Sequence, residues 1–196
     1  SGGESIDFPY VMRMTADAVR NQGFELPILR PSREAQKWAE QYRGAHVITL
    51  READYWPERN SQTHEWCAFA DVLRTRGERV VFVRDTARVG LDGEGPHGVC
   101  DRASTSIHHR LALYCVSKMN YFVSNGPAVL AGYSSDIPYI TFMKRVDGYQ
   151  CNDDAWHWKF MGIGVGEQWP WANPKKQSLV WADDTLENIL NAANLA

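Results

Sequence analysis

The chain has 196 residues, 44% of them hydrophobic, enough for one sizeable core and a single domain. Its 21 basic and 24 acidic residues leave a formal charge of −3 with no long basic block, so no nucleic-acid footprint is expected. No apolar run is long enough to span a bilayer and no signal peptide opens the chain, so a cytoplasmic protein without a membrane span is expected.

Ser1-Gly2-Gly3 looks like a cloning remnant. Tyr10 to Gln22 reads as a short helix stopped by Gly23, and Phe24 to Ile28 as an extended piece before Pro31. Ser32 is placed to cap a helix carrying Ala35, Trp38, Ala39 and Tyr42 three or four residues apart, which Gly44 ends. His46-Val47-Ile48-Thr49-Leu50 then has the β-branched, apolar character of a strand buried on both faces. Directly after it the chemistry changes, with Arg51, Glu52, Asp54, Glu58, Arg59, Asn60 and Ser61 in close succession.

An apolar-periodic helix follows through Trp66, Phe69, Ala70 and Leu73, with Gly77 near its end, and a second strand, residues 79–83, closes in Arg84-Asp85-Thr86. The glycine-rich stretch from Ala87 to Thr105 is a loop of the length that is usually functional or mobile. Thr105 or Ser106 caps a helix over 108–118, a third strand covers 119–123, and Ser124-Asn125-Gly126-Pro127 turns into a short helix over 128–134. Residues 137–142 form a fourth strand with Pro138 at its start, where a missing N–H is tolerated. A Trp-rich irregular stretch (Trp156, Trp158, Trp169, Trp171), a strand over 178–181 and a final helix capped by Asp184 or Thr185 complete the chain.

Strands alternating with helices predict an α/β fold: a single Rossmann-like, doubly wound, mainly parallel sheet with helices on both faces. Residues 1–44 form a lead-in segment and helix, and 45–196 the Rossmann-like domain with its Trp-rich C-terminal extension. Ligands of such sheets bind outside the carboxyl ends of the strands. That edge collects Arg51 to Ser61, Asp85 with Thr86, and Ser124 to Gly126.

Arg51 has the fork that grips a phosphate, or else it pairs on the surface with Glu52 or Asp54. Arg59, Asn60 and Ser61 precede a helix whose free N–H groups attract anions, although Ser61 also suits a plain N-cap. Asp54 could orient Arg51, take a proton or simply be solvated. Asp85 and Thr86 could accept from sugar hydroxyls or a base edge, or cap a turn. Ser124, Asn125 and Gly126 combine a close-approach glycine with a helix start, or form an ordinary strand-to-helix turn. His108 and His109, adjacent on a helix, cannot share a face, so at most one could serve as a base. The tryptophans are core or, less readily, a stacking platform.

Cys67, Cys100, Cys115 and Cys151 make no CxxC pair and fit a reducing compartment. A zinc site from Cys100, Cys151, His97, His108 and His109 is the sharper alternative but lacks the usual ligand spacing, so no metal is assigned. No dinucleotide glycine signature, P-loop or nucleophile elbow is present, which argues against an ordinary dehydrogenase, NTPase or α/β-hydrolase.

Together these signatures resemble the C-terminal, donor-binding half of GT-B glycosyltransferases, most closely the fucosyltransferase-like group, over residues 45–142. Thr49-Leu50-Arg51-Glu52-Ala53-Asp54 is similar to that group's HxRxxD-type motif, with Thr49 in the histidine's place. The resemblance implies that Arg51 holds the diphosphate of a GDP- or UDP-sugar, that Asp85 and Thr86 lie near the nucleoside, and that Ser124, Asn125 and Gly126 meet the donor phosphates. It implies metal-independent transfer, no cofactor, and a carbohydrate or glycoconjugate acceptor. It names no catalytic base. A GT-B enzyme also needs an N-terminal acceptor domain that residues 1–44 cannot build, so a missing N-terminal half or a homo-oligomer is expected. The alternatives are a binding or assembly module without turnover and, more weakly, a hydrolase or epimerase of phosphorylated sugars.

Overall fold

The computed structural model describes residues 8–90, 96–146 and 154–196. Ser1 to Gly3, the middle of the glycine-rich loop, Cys151 and the start of the Trp-rich stretch lie outside the described residues. Five strands, β1 (His46–Thr49), β2 (Val80–Val83), β3 (Met119–Val123), β4 (Tyr139–Phe142) and β5 (Gln177–Val180), form one sheet in the order β2-β1-β3-β4-β5. Every pairing is parallel, with Val47 opposite Val81 and Asn120, and Tyr121 opposite Ile140.

The sheet is buried on both sides because alternate residues pack on different helices. Val47, Val83, Phe122, Tyr139 and Leu179 join Leu111, Leu113 and Tyr114 of α5 (Ile107–Val116) and Ala131 of α6 (Gly126–Gly132). Ile48, Leu50, Phe82, Val123 and Phe142 join Trp66, Phe69, Ala70 and Leu73 of α3 (Thr63–Thr75), with Ile189 of the C-terminal helix Leu186–Ala192. Continuous burial of all four residues in each of β1, β2 and β4 is the pattern of a parallel sheet covered by crossover helices. The fold is therefore the doubly wound α/β sheet that the strand and helix spacing predicts.

α1 (Phe8–Gln22) docks on the Trp-rich region, where Gly162 lies with φ +71 and a Cβ would sit 2.9 Å from that of Ala16, too close for any larger residue. α2 (Arg33–Ala39), capped by Ser32, packs on α5. The long loop contributes a further short helix, α4 (Asp101–Thr105), ahead of which residues 98–100 lie along β2: Phe82 N–H donates to the Gly98 carbonyl at 3.0 Å, and the Phe82 carbonyl accepts from Cys100 N–H at 2.8 Å. At the opposite rim the amide of Gln168 bonds both the carbonyl (2.8 Å) and the N–H (2.6 Å) of Leu179. Among the described residues no helix is long and apolar enough to cross a membrane.

Candidate functional site

β1 leads to β2 on one side and the chain then returns to lay β3 on the other, so the strand order reverses between β1 and β3, where open sheets form their crevice. A cavity of about 1020 Å³ opens there. Arg51, Asp54, Arg59, Asp85, Ser124, Asn125 and Gly126 all line it. Asn60 and Ser61 do not; they shape the loop behind it. Thr86 faces a separate depression and donates its hydroxyl to the Ser104 carbonyl at 2.8 Å.

Arg51 is 5% exposed, and its guanidinium is held by a lip of chain, residues 53–60. It donates to the carbonyls of Tyr55 and Trp56, both at 3.1 Å, and to Asn60 Oδ1. Asn60 closes the lip by exchanging amide bonds with Ala53, and Ser61 Oγ accepts from Arg51 N–H at 2.9 Å instead of capping α3. Trp56 adopts φ 51, a left-handed conformation that a bulky residue takes when its surroundings impose it. Tyr55 and Trp56 are exposed, and the Arg51 and Arg59 guanidiniums lie over their rings at 5.2 and 5.7 Å.

Neither Glu52 nor Asp54 pairs with Arg51. Glu52 grips Arg84 in a buried ion pair at 2.5 Å that holds the Arg84 guanidinium above its ordinary pKa, and Asp54 pairs at the surface with Arg88 at 3.0 Å. Asp85 stitches the ends of β1 and β2 by accepting from Glu52 N–H at 2.6 Å. Arg59 reaches the Ser124 carbonyl at 3.5 Å. Among the described residues, then, no carboxylate lies within ion-pair distance of Arg51 or Arg59. Burial first, and the charge of Arg59 second, push the Arg51 pKa below its ordinary value.

The turn after β3 offers fewer free N–H groups than its sequence suggests. Pro127 has none, and Asn125 caps the Ala128 N–H with its own side chain at 3.0 Å. Thr49 sits in the core with its hydroxyl 2.8 Å from that of Tyr114, away from the cavity. His108 accepts from Ser32 N–H at 3.3 Å and His109 packs edge-on against Trp38; neither lines the cavity. Of the tryptophans, Trp56, Trp156 and Trp169 line it. Among the described residues no cluster of His, Cys, Asp and Glu could hold a metal ion.

Lys144 is a lining residue that reasoning from the sequence passed over. Its side chain is 8% exposed, and its ammonium pairs at 2.9 Å with the fully buried Asp184 and donates to the Asn60 carbonyl at 2.7 Å. Asp184 also accepts from Gln62 N–H (2.8 Å) and Trp66 Nε1 (2.7 Å), while Thr185 caps the last helix. The position of Lys144, just beyond the carboxyl end of β4, is the signal that could have marked it.

No protein-family model matches the sequence, and no curated protein does. Among solved structures the chain is similar to Escherichia coli ADP-heptose LPS heptosyltransferase II, with a TM-score of 0.53 and 13% identity over 88% of this chain and 55% of that one. The chain thus spans little more than half the length of that neighbour. At this identity the likeness is one of fold alone, an α/β architecture built on a parallel sheet.

Proposed function

We propose that the chain is the donor-binding part of a glycosyltransferase and takes a nucleotide-diphosphate sugar in the crevice between β1 and β3. The observation that carries this reading is the pair Arg51 and Arg59, two cations at the switch point with carbonyl and aromatic partners but, among the described residues, no carboxylate within ion-pair distance. A diphosphate supplies the missing negative charge, and the fork of each guanidinium suits it. On transfer, the same cations would neutralise charge gathering on the leaving diphosphate, the part a metal ion plays in other sites. Lys144 adds a third positive group, fixed in place by Asp184. Asp85 stands where a ribose hydroxyl could donate to it, and the rim residues Asp54, Ser124, Asn125 and Gly126 complete the wall.

In this reading residues 45–196 are the donor unit and 1–44 its lead-in, and the acceptor-binding part comes from a further domain or a second copy. The three free cysteines among the described residues, Cys67, Cys100 and Cys115, suit the reducing conditions of a cytoplasm. Titration with GDP-, UDP- and ADP-sugars tests the proposal, the last because the structural neighbour is named for an ADP-sugar. Binding at or below millimolar concentration is expected, with Arg59→Gln weakening it about tenfold or more, as loss of a charge-assisted hydrogen bond does. If none of the three binds, the assignment is wrong.

A second reading, a binding module without turnover, is favoured by one feature: the lining carboxylates Glu52, Asp54 and Asp85 all have protein partners. Donor binding without hydrolysis or transfer to any offered acceptor would support it.

A further inference from the structure

The cavity continues well below its charged mouth. Tyr139, Thr141 and Met143 alternate along one face of β4, and all three line it, so it runs roughly 13 Å down the strand at about 3.3 Å per residue. Tyr133, Trp156, Met161 and Trp169 line the same cavity. Trp169 is 7% exposed and stacks on Trp171 at 5.1 Å with the ring planes 6° apart, which fixes it as a rigid wall. At the inner end Tyr139 is 1% exposed, and its hydroxyl has no hydrogen-bond partner among the described residues.

We propose that this inner compartment is a binding site for a flat aromatic ring carrying a hydrogen-bonding edge, attached to the group held at the mouth. The chemistry of the walls selects that class. Indole, phenol and thioether surfaces pack favourably on the faces and edges of a ring. An alkyl chain would fill the same space and leave the Tyr139 hydroxyl orphaned. A sugar would bring several hydroxyls against walls whose polar groups are few, the hydroxyls of Tyr133, Tyr139 and Thr141 and the imidazole of His157. A ring with one polar edge satisfies both conditions, its edge reaching Tyr139 and its faces the sulfur and indole walls. Burial raises the Tyr139 pKa, so the phenol stays protonated and donates.

This inference rests on the donor reading only for where the ring comes from. It is either the base of the nucleotide donor or an aromatic group on the acceptor, and three probes separate these sources. Pyrophosphate reports the mouth alone, free adenosine, guanosine and uridine report the compartment with a base, and phenyl glucoside reports it with an aryl group. Binding is read by calorimetry and by tryptophan fluorescence, since Trp156 and Trp169 face the ligand. Expected is saturable binding of at least one nucleoside that Tyr139→Phe weakens about tenfold, the scale of one lost hydrogen bond, while pyrophosphate binding is unchanged. Phenyl glucoside binding with the same dependence on Tyr139, and no nucleoside binding, assigns the compartment to an acceptor. If neither ring binds, or if both bind equally well in Tyr139→Phe, the inference is overturned. Failure of pyrophosphate alone strikes the donor reading and leaves the compartment standing.

Discussion

Replacing Asp184 by Asn keeps the shape of the side chain and removes its charge from the centre of a buried network. Asp184 is 0% exposed and accepts from Gln62 N–H at 2.8 Å, Trp66 Nε1 at 2.7 Å and Lys144 Nζ at 2.9 Å. Asparagine presents an NH₂ where one of these donors now points and leaves the ammonium of Lys144, whose side chain is 8% exposed, without a counter-charge among the described residues. Breaking a buried pair in this way costs about 3–5 kcal/mol, which for a chain of this size lowers Tm by roughly 6–20 °C. Urea unfolding followed by circular dichroism measures the loss directly. Adding Lys144→Met removes the orphaned cation and should restore more than half of it, so the double-mutant cycle shows strong coupling. A loss under about 1 kcal/mol, the size of an exposed pair, would refute the reasoning, as would a double variant no more stable than the sum of its parts.

Arg51→Lys places one ammonium where a fork now meets two carbonyls and an amide oxygen, so the lip should loosen. Limited proteolysis within 53–60 should quicken, and pyrophosphate affinity should fall roughly 10- to 100-fold, whereas Arg59→Gln should weaken binding with Tm essentially unmoved. Tyr139→Phe deletes a buried hydroxyl without a partner among the described residues, and its urea midpoint should equal or exceed that of the parent; a clear decrease would mean the hydroxyl is bonded in solution. Burial lowers the pKa of His46, against the opposing pull of Glu78 and with the help of Lys118. Its contribution is then fully present above the unfolded value of about 6.5 and is lost as pH falls below that, because the unfolded chain takes up the proton first. Stability of His46→Phe measured between pH 7 and 5 should accordingly fall less steeply than that of the parent.

The fold was legible because each strand announces itself locally. Val80 to Val83 is a β-branched and aromatic run, Met119 to Val123 ends in one, both are bounded by polar residues, and the helices between them carry the 3.6 period. Once the sheet was parallel, chain topology brought the polar strand ends to one edge, so Arg51, Asp85 and Ser124 meet in one cavity although they are far apart in sequence. What the residues could not announce is partnership across distance. Arg51 finds the carbonyls of its own lip in preference to Glu52, Asp85 braces a neighbouring strand end, and Lys144 meets Asp184 across an irregular segment without periodicity. The inner compartment was equally hidden, since Tyr139 reads from its neighbours as a plain core residue.

The two rims of the sheet have a bearing on how the molecule behaves in concentrated solution. An outermost strand is a template for pairing with another chain. Here the β2 margin is occupied by residues 98–100, and the outward peptide groups of Leu179 on β5 are engaged by one glutamine side chain. Growth of the sheet from molecule to molecule is thus blocked at one end by backbone and at the other by a single amide. Gln168→Leu would open that end, and light scattering over time would show whether fibrous or amorphous aggregates then form.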